Sequence, residues 1–120
     1  MHPHLSKIVA ESIGWRSVVS NRGPGWSAPS RCKLGRALRS SHPDYAEGES
    51  LEHLIEFAAE NGYHVICQLM TEAVVCWLET EDGQQLYANA SSSVAGSLCI
   101  AVLALSESLK NKKRKRRESK

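Results

Sequence analysis

Across residues 50–109 the sequence changes from helical spacing of apolar residues to runs of β-forming residues and back to helical spacing, which limits the chain to few folds. The segments with helical spacing are 50–61 and 94–109, and those rich in β-forming residues are 63–69, 73–79 and 84–90. Short connections separate the three strand segments, so consecutive hairpins are expected. We therefore predict an α+β fold in the order α-β-β-β-α, with a three-stranded antiparallel meander packed against helices.

Three further segments lie outside this compact domain of residues 50–109. Residues 1–15 predict a short N-terminal helix, because apolar side chains repeat at helical spacing and Gly14 is a common C-terminal stop. Residues 16–49 are rich in turn-forming residues and predict a loop-rich connector whose charge changes from basic to acidic. Residues 110–120 contain no apolar side chain, so we expect a disordered basic tail.

Both faces of the predicted sheet are apolar. Such a sheet needs cover on both sides, or cover on one side and a partner on the other. The residues that we expect to be buried together come from the two helices and the first two strands: Leu54, Ile55, Val65, Cys67, Trp77, Leu98 and Val102.

Charge is strongly segregated along the chain. Residues 1–39 hold seven Lys or Arg and one acid, a charge of +6. Residues 110–120 hold eight Lys or Arg and one acid, a charge of +7. Residues 40–109 hold eleven acids and no Lys or Arg, a charge of −11. The net charge of +2 hides this pattern, which is expected to steer association with charged partners.

The sequence favours an intracellular, cytoplasmic protein, which would be nuclear if the host is a eukaryote. No run of about 20 apolar residues is present, and the first residues lack the layout of a secretory signal. The four cysteines and five histidines are scattered, without the C-x-x-C spacing of zinc or redox sites. We therefore expect free cysteines, no cofactor and no structural metal.

Candidate catalytic residues have simpler structural interpretations. Residues Ser91 to Ser93 precede an apolar helix and fit a helix cap better than a nucleophile. Cys99 lies among apolar residues and fits a core position better than a dyad with His53 or His64. Glycine-rich phosphate loops are absent, so we predict that the protein is not an enzyme.

Three stretches carry a likeness to a known family. Residues 5–15 end in Gly-Trp, Pro-Asp-Tyr at 43–45 precedes the helix and Gly-Tyr of 50–63, and residues 90–103 lead from three serines into an apolar helix. In this order they resemble the phage ABA-sandwich family, small phage proteins of unknown function. The resemblance implies a layered sandwich of helix, sheet and helix and a mobile-element origin. It implies no activity, and residues 16–42 and the basic tail depart from it.

The charge pattern and the resemblance together predict a non-enzymatic phage or mobile-element protein whose acidic face docks on a basic surface of a host protein. Inhibition of a host defence nuclease is one form that this would take. The residues predicted to bind the partner are Glu49, Glu52, Glu56, Glu60, Glu79, Glu81 and Asp82.

The alternative is a nucleic-acid-associated accessory protein that uses its basic tail. Cations of the tail can bind phosphates by releasing counterions. The residues predicted for this contact are Lys112, Lys113, Arg114, Lys115, Arg116 and Arg117. A third interpretation is an arm that folds back on the acidic domain. Double-stranded-RNA-binding domains share the α-β-β-β-α order, but their phosphate-binding lysines are missing from the start of the last helix here.

Overall fold

A computed structural model describes residues 4–32 and 37–118, with the backbone alone for Arg31 and for 114–118. The order of elements from α2 to α3 follows the sequence prediction, and the α+β class is confirmed. The elements are α1 (Leu5–Ile13), β1 (Arg16–Ser20), β2 (Gly23–Ser27), α2 (Leu51–Glu60), β3 (His64–Leu69), β4 (Val74–Glu79), β5 (Gln85–Ser91) and α3 (Val94–Glu118), with short 3-10 turns at Ser30–Cys32 and Tyr45–Glu47. The first two strands form one antiparallel sheet, and the other three form a second in the order β3-β4-β5.

Two predicted helix ends, at Gly14 and in the run of serines before α3, are confirmed. Gly14 ends α1 with a φ of 119°, a left-handed conformation that glycine adopts without strain. Ser93 caps α3, since its Oγ accepts a hydrogen bond from the Gly96 N–H at 3.1 Å. Ser50, which precedes α2, has a φ of 50° and makes no side-chain cap hydrogen bond.

The register of the larger sheet decides which side chains reach the core. Val65 lies opposite Leu78, and Ile66 lies opposite Trp77. The buried β4 residues are therefore Cys76 and Leu78, while Trp77 is on the other face and half-buried. The prediction that Trp77 shares the core with Val65 is wrong, because a shift of one residue moves a side chain to the opposite face.

One continuous core joins all three helices to the sheet. Leu54, Leu98 and Val102 are buried in it, as predicted. Cys67 is exposed and Ile55 is 46% exposed, so these two assignments are wrong. The core also extends beyond residues 50–109, since it includes buried side chains of α1, of the segment that follows α1, and of the connector: Val9, Ala10, Ile13, Trp15, Cys32 and Tyr45.

Ser97 attaches α3 to the sheet. Its Oγ accepts the Cys76 N–H at 3.0 Å and donates to the Asn89 carbonyl at 2.9 Å. The register shifts at this point, where β5 places two residues opposite one residue of β4. The shift is a β-bulge, and the fully buried serine satisfies polar groups beside it.

Part of the connector is a β-hairpin where the sequence predicts a loop. Strands β1 and β2 pair from Arg16 and Ser27 to Ser20 and Gly23. Trp26 also bonds the backbone of Arg39 on the other side of β2, with N–O distances of 2.7 and 2.9 Å. Glycine and proline have low strand propensity, so the Gly-Pro-Gly of β2 hides a strand that pairing on both sides maintains.

The backbone of α3 runs as far as Glu118 and so includes most of the predicted basic tail. Lysine and arginine are good helix formers, and their charge is favourable near a helix C-terminus. The window Val94–Lys113 has the length and a mean hydropathy (1.2) compatible with a membrane span. Its leucines at 98 and 105 are buried in the core, which is typical of the central helix of a soluble domain.

Candidate functional site

A surface cleft of about 440 Å³ lies between the first half of α2 and the chain around residues 39–43. Its volume is in the range of ligand pockets in proteins. We call it the α2 cleft. It is lined by Trp15, Cys32, Arg39, Ser41, His42, Pro43, Glu49, Ser50, Glu52, His53 and Glu56.

A chain of buried hydrogen bonds forms one wall of the α2 cleft. Trp15 donates its Nε1–H to the Tyr45 hydroxyl oxygen at 2.9 Å, and this hydroxyl lies 2.8 Å from His53 Nδ1. The Tyr45 hydroxyl therefore hydrogen-bonds both Trp15 and His53. The chain links three distant parts of the sequence and fixes the start of α2 against the end of α1.

Burial keeps the Tyr45 hydroxyl protonated. Tyr45 is fully buried, and this loss of solvation raises the pKa of its phenol far above the ordinary value. The hydrogen bond from Trp15 acts in the opposite direction and is the weaker influence. The hydroxyl is therefore neutral and closed to solvent.

Acidic side chains dominate the rim of the α2 cleft. Glu52 and Glu56 are exposed one helical turn apart on α2, and Glu49 lies just before the helix. The Glu49 carboxylate accepts the Asp44 N–H at 3.1 Å, which fixes its position at the rim. Arg39 and His42 border the same cleft, and the His42 ring packs edge-on against Trp26 with centroids 4.8 Å apart. Because three carboxylates outnumber the one guanidinium in its lining, the cleft is suited to a cationic group.

The structure separates the predicted acidic face into two groups. Glu60 continues the row of Glu52 and Glu56 along α2, one turn further on. Glu79 is instead the last residue of β4, Glu81 and Asp82 follow in the β4–β5 turn, and these three residues do not line the α2 cleft. His64 lies four residues after Glu60, the last residue of α2, and it pairs with Glu79 in the sheet. The β4–β5 turn therefore lies near the end of α2.

The β4–β5 turn is stabilised by its own side chains. Thr80 donates its hydroxyl to the Asp82 carboxylate, and this hydrogen bond is the main cause of the lowered pKa of Asp82. The Thr80 Oγ1 also accepts the Gln84 N–H at 3.0 Å. Asp82 therefore remains ionised well into the acidic range.

The predicted nucleic-acid contact lies on the last turns of α3. Lys112 and Lys113 are exposed. The side chains of Arg114, Lys115, Arg116 and Arg117 lie outside the described residues, although their backbone is helical. Among the side chains of α3 that the structure describes, which end at Lys113, the last buried one is Ser106, so Lys112 and Lys113 lie past the core.

The candidate nucleophiles lie away from the α2 cleft or are buried. Cys99 is fully buried, and burial raises the pKa of its thiol to about 12. Ser93 is engaged as the helix cap of α3. Within residues 4–32 and 37–118, no three His, Cys, Asp or Glu side chains come together in a way that could hold a metal ion.

The Trp15–Tyr45–His53 chain was not identified from the sequence, although part of its signal was present. His53 lies four residues before Phe57, on the same face of α2, and is 6% exposed. Helical spacing therefore predicts a buried histidine, and a buried polar side chain requires a hydrogen-bond partner. Its partner, Tyr45, belongs to a separate segment, so only the folded structure identifies it.

The chain has no significant match among protein-family models, curated proteins or solved structures.

Proposed function

We propose that this chain is a non-enzymatic interaction protein that docks the acidic face of α2 on a basic surface of a partner protein. The observation that carries the proposal is the α2 cleft, where Glu49, Glu52 and Glu56 meet at one concave surface. A concave acidic surface can accept a protruding Lys or Arg side chain. The row of exposed carboxylates along α2 extends the same contact.

The charge distribution supports this proposal. Residues 40–109 hold eleven acids and no Lys or Arg, so α2 and the three-stranded sheet offer no Lys or Arg to neutralise the acidic face of α2. Arg39 at the border is the nearest cation in sequence. Such a field accelerates encounter with a basic partner, and its effect weakens with rising salt.

The resemblance to phage proteins makes a host protein the proposed partner. A host defence nuclease is a specific case, since an acidic surface would occupy the basic surface that binds nucleic acid. The protein would then act in the host cytoplasm, or in the nucleus of a eukaryotic host. None of the four cysteines forms a disulfide, which fits a reducing compartment.

A nucleic-acid accessory function is the second candidate, because α3 extends past the core with Lys112 and Lys113 exposed. Backbone contacts of this kind do not depend on base sequence, and they weaken steeply with salt. A gel-shift assay at several salt concentrations separates the two proposals. The accessory function requires binding of DNA or RNA that is lost when residues 110–120 are deleted.

The experiment for the first proposal reverses charge on α2 in the variant Glu52→Lys, Glu56→Lys, Glu60→Lys. Proteins captured from host extract by the native chain are compared with those captured by this variant. A matched control, Glu11→Lys, Glu72→Lys, Glu107→Lys, makes the same change in net charge at exposed sites on α1, the β3–β4 turn and α3.

We expect the α2 variant to lose the captured partner and the control variant to keep it. The loss should begin in the association rate, since steering by charge acts mainly on encounter. Equal capture by both variants, with both folded, would exclude the acidic face of α2 as the docking surface.

A further inference from the structure

Two cysteines lie directly opposite each other in the β3–β4 hairpin. Cys67 of β3 pairs with Cys76 of β4, and their sulfur atoms are 2.8 Å apart. Opposed residues in antiparallel strands have Cα atoms about 4.5–5.5 Å apart, inside the window of about 4.4–6.8 Å that disulfides need. Both side chains point to the same face of the sheet. Bond formation requires the sulfur atoms to approach by less than about 1 Å.

The two thiols differ in access to solvent. Cys67 is exposed on β3, an edge strand of the sheet, whereas Cys76 is buried on the central strand. The other two cysteines, Cys32 and Cys99, are buried. An oxidant in solution therefore meets Cys67 first, with Cys76 positioned behind it.

We propose that Cys67 and Cys76 form a reversible disulfide that ties the edge strand β3 to the central strand β4. This inference is independent of the acidic face, and the pair does not line the α2 cleft. The thiols are free in the structure described above, which corresponds to the reduced state. The bond would make the β3–β4 hairpin a redox-sensitive part of the domain.

The oxidant class is a small disulfide such as oxidised glutathione. The Cys67 thiolate attacks one glutathione sulfur, forms a mixed disulfide and releases one glutathione thiolate. Cys76 attacks the Cys67 sulfur, the bond between Cys67 and glutathione breaks, and the leaving glutathione thiolate takes up the proton of the Cys76 thiol. The two protein thiols are oxidised together by two electrons, and the one oxidised glutathione molecule is reduced to two thiols.

The local environment sets the rate of the first step. Although Cys67 is exposed as a residue, its sulfur is partly shielded from water, and this loss of solvation, with a smaller effect of the contact with Cys76, raises the pKa of the Cys67 thiol to about 12. The thiolate is the attacking species, so the reaction should be slow at neutral pH and faster in alkaline solution. A hydrogen bond from the Cys76 N–H to Ser97 Oγ holds the second cysteine in position.

Oxidation should mainly affect the mobility of β3. An edge strand is held to the sheet on one side, and a covalent link to β4 limits its separation. We expect amide hydrogen exchange in β3 to slow by several-fold after oxidation, together with a rise of a few degrees in melting temperature.

The test treats the full chain with oxidised glutathione, blocks remaining thiols under denaturing conditions and digests with a glutamate-specific protease. Trypsin is unsuitable because residues 40–109 contain no Lys or Arg. Cleavage after glutamate places Cys67 in peptide 61–72 and Cys76 in peptide 73–79, apart from Cys32 and Cys99. The expected product is these two peptides linked, and a reducing agent should separate them.

Two variants serve as controls. Cys76→Ser should keep glutathione on Cys67, because the second thiol is missing. Cys67→Ser changes an exposed residue, so its fold should be preserved, and the linked product should disappear. The proposal is overturned if the native chain keeps glutathione on Cys67 as Cys76→Ser does, if Cys67 links two copies of the chain, or if both thiols stay reduced.

Discussion

Removal of the Tyr45 hydroxyl should destabilise the protein by far more than the loss of one oxygen atom suggests. In Tyr45→Phe, the Trp15 N–H and His53 Nδ1 both lose their partner while they remain buried. A buried polar group left unpaired costs about 1–3 kcal/mol, and two such groups are involved. His53 borders the α2 cleft, where water can replace part of the loss. We therefore expect a decrease of about 2–4 kcal/mol in the free energy of unfolding.

The assay is urea unfolding at neutral pH, followed by tryptophan fluorescence. Tyr63→Phe is the matched control, since it removes the same atom from a half-buried ring and should cost less than about 1 kcal/mol. The double variant Trp15→Phe, Tyr45→Phe should be more stable than the two separate losses predict, because no N–H is left stranded. A decrease below about 0.5 kcal/mol in the free energy of unfolding of Tyr45→Phe would refute the structural role of the Trp15–Tyr45–His53 hydrogen bonds.

Three further results are expected. Leu98→Ala should lower the free energy of unfolding by about 2–5 kcal/mol in urea titrations, because the side chain is 2% exposed in the core; a loss below about 0.5 kcal/mol would contradict its burial. In alkaline titration followed by tyrosinate absorbance, Tyr45 should ionise last and together with unfolding. The pKa of Tyr45 in the folded protein is raised above the unfolded value of about 10. The stability that this difference contributes is therefore complete below about pH 10 and is lost as the pH rises further. Early ionisation of all three tyrosines would contradict this. Deletion of residues 112–120 should leave the melting temperature within a few degrees in thermal unfolding, since Lys112 and Lys113 are exposed; a large drop would indicate that the tail docks on the acidic domain.

The charge distribution and element types follow from local sequence. Helical spacing identifies α1, α2 and α3, and β-forming residues identify β3, β4 and β5, because these patterns depend on neighbours within one or two turns. Local chemistry also sets helix ends such as Gly14 and Ser93. The β1–β2 hairpin is the exception, since β1 lies in the predicted connector and the Gly-Pro-Gly strand β2 depends on pairing with β1 and with Arg39.

Contacts between distant segments depend on the tertiary structure. Loop length provides the physical reason in the β3–β4 hairpin: four residues, 70–73, separate the paired ends Leu69 and Val74. This number places Cys67 opposite Cys76 and Val65 opposite Leu78, and it turns Trp77 away from the core. With one residue more or fewer in the loop, the register would shift by one residue, and the side chains of one strand would move to the opposite face of the sheet.

The candidate site shows the same division between sequence and structure. Its acidic residues on α2 were predicted, because Glu52, Glu56 and Glu60 recur at the spacing of one helical turn. The Tyr45 hydroxyl that joins Trp15 to His53 was not, since it connects side chains 30 and 8 residues away along the chain. Sequence alone determines which groups the chain carries and where charge accumulates, whereas packing decides which groups lose their water and must therefore find one another.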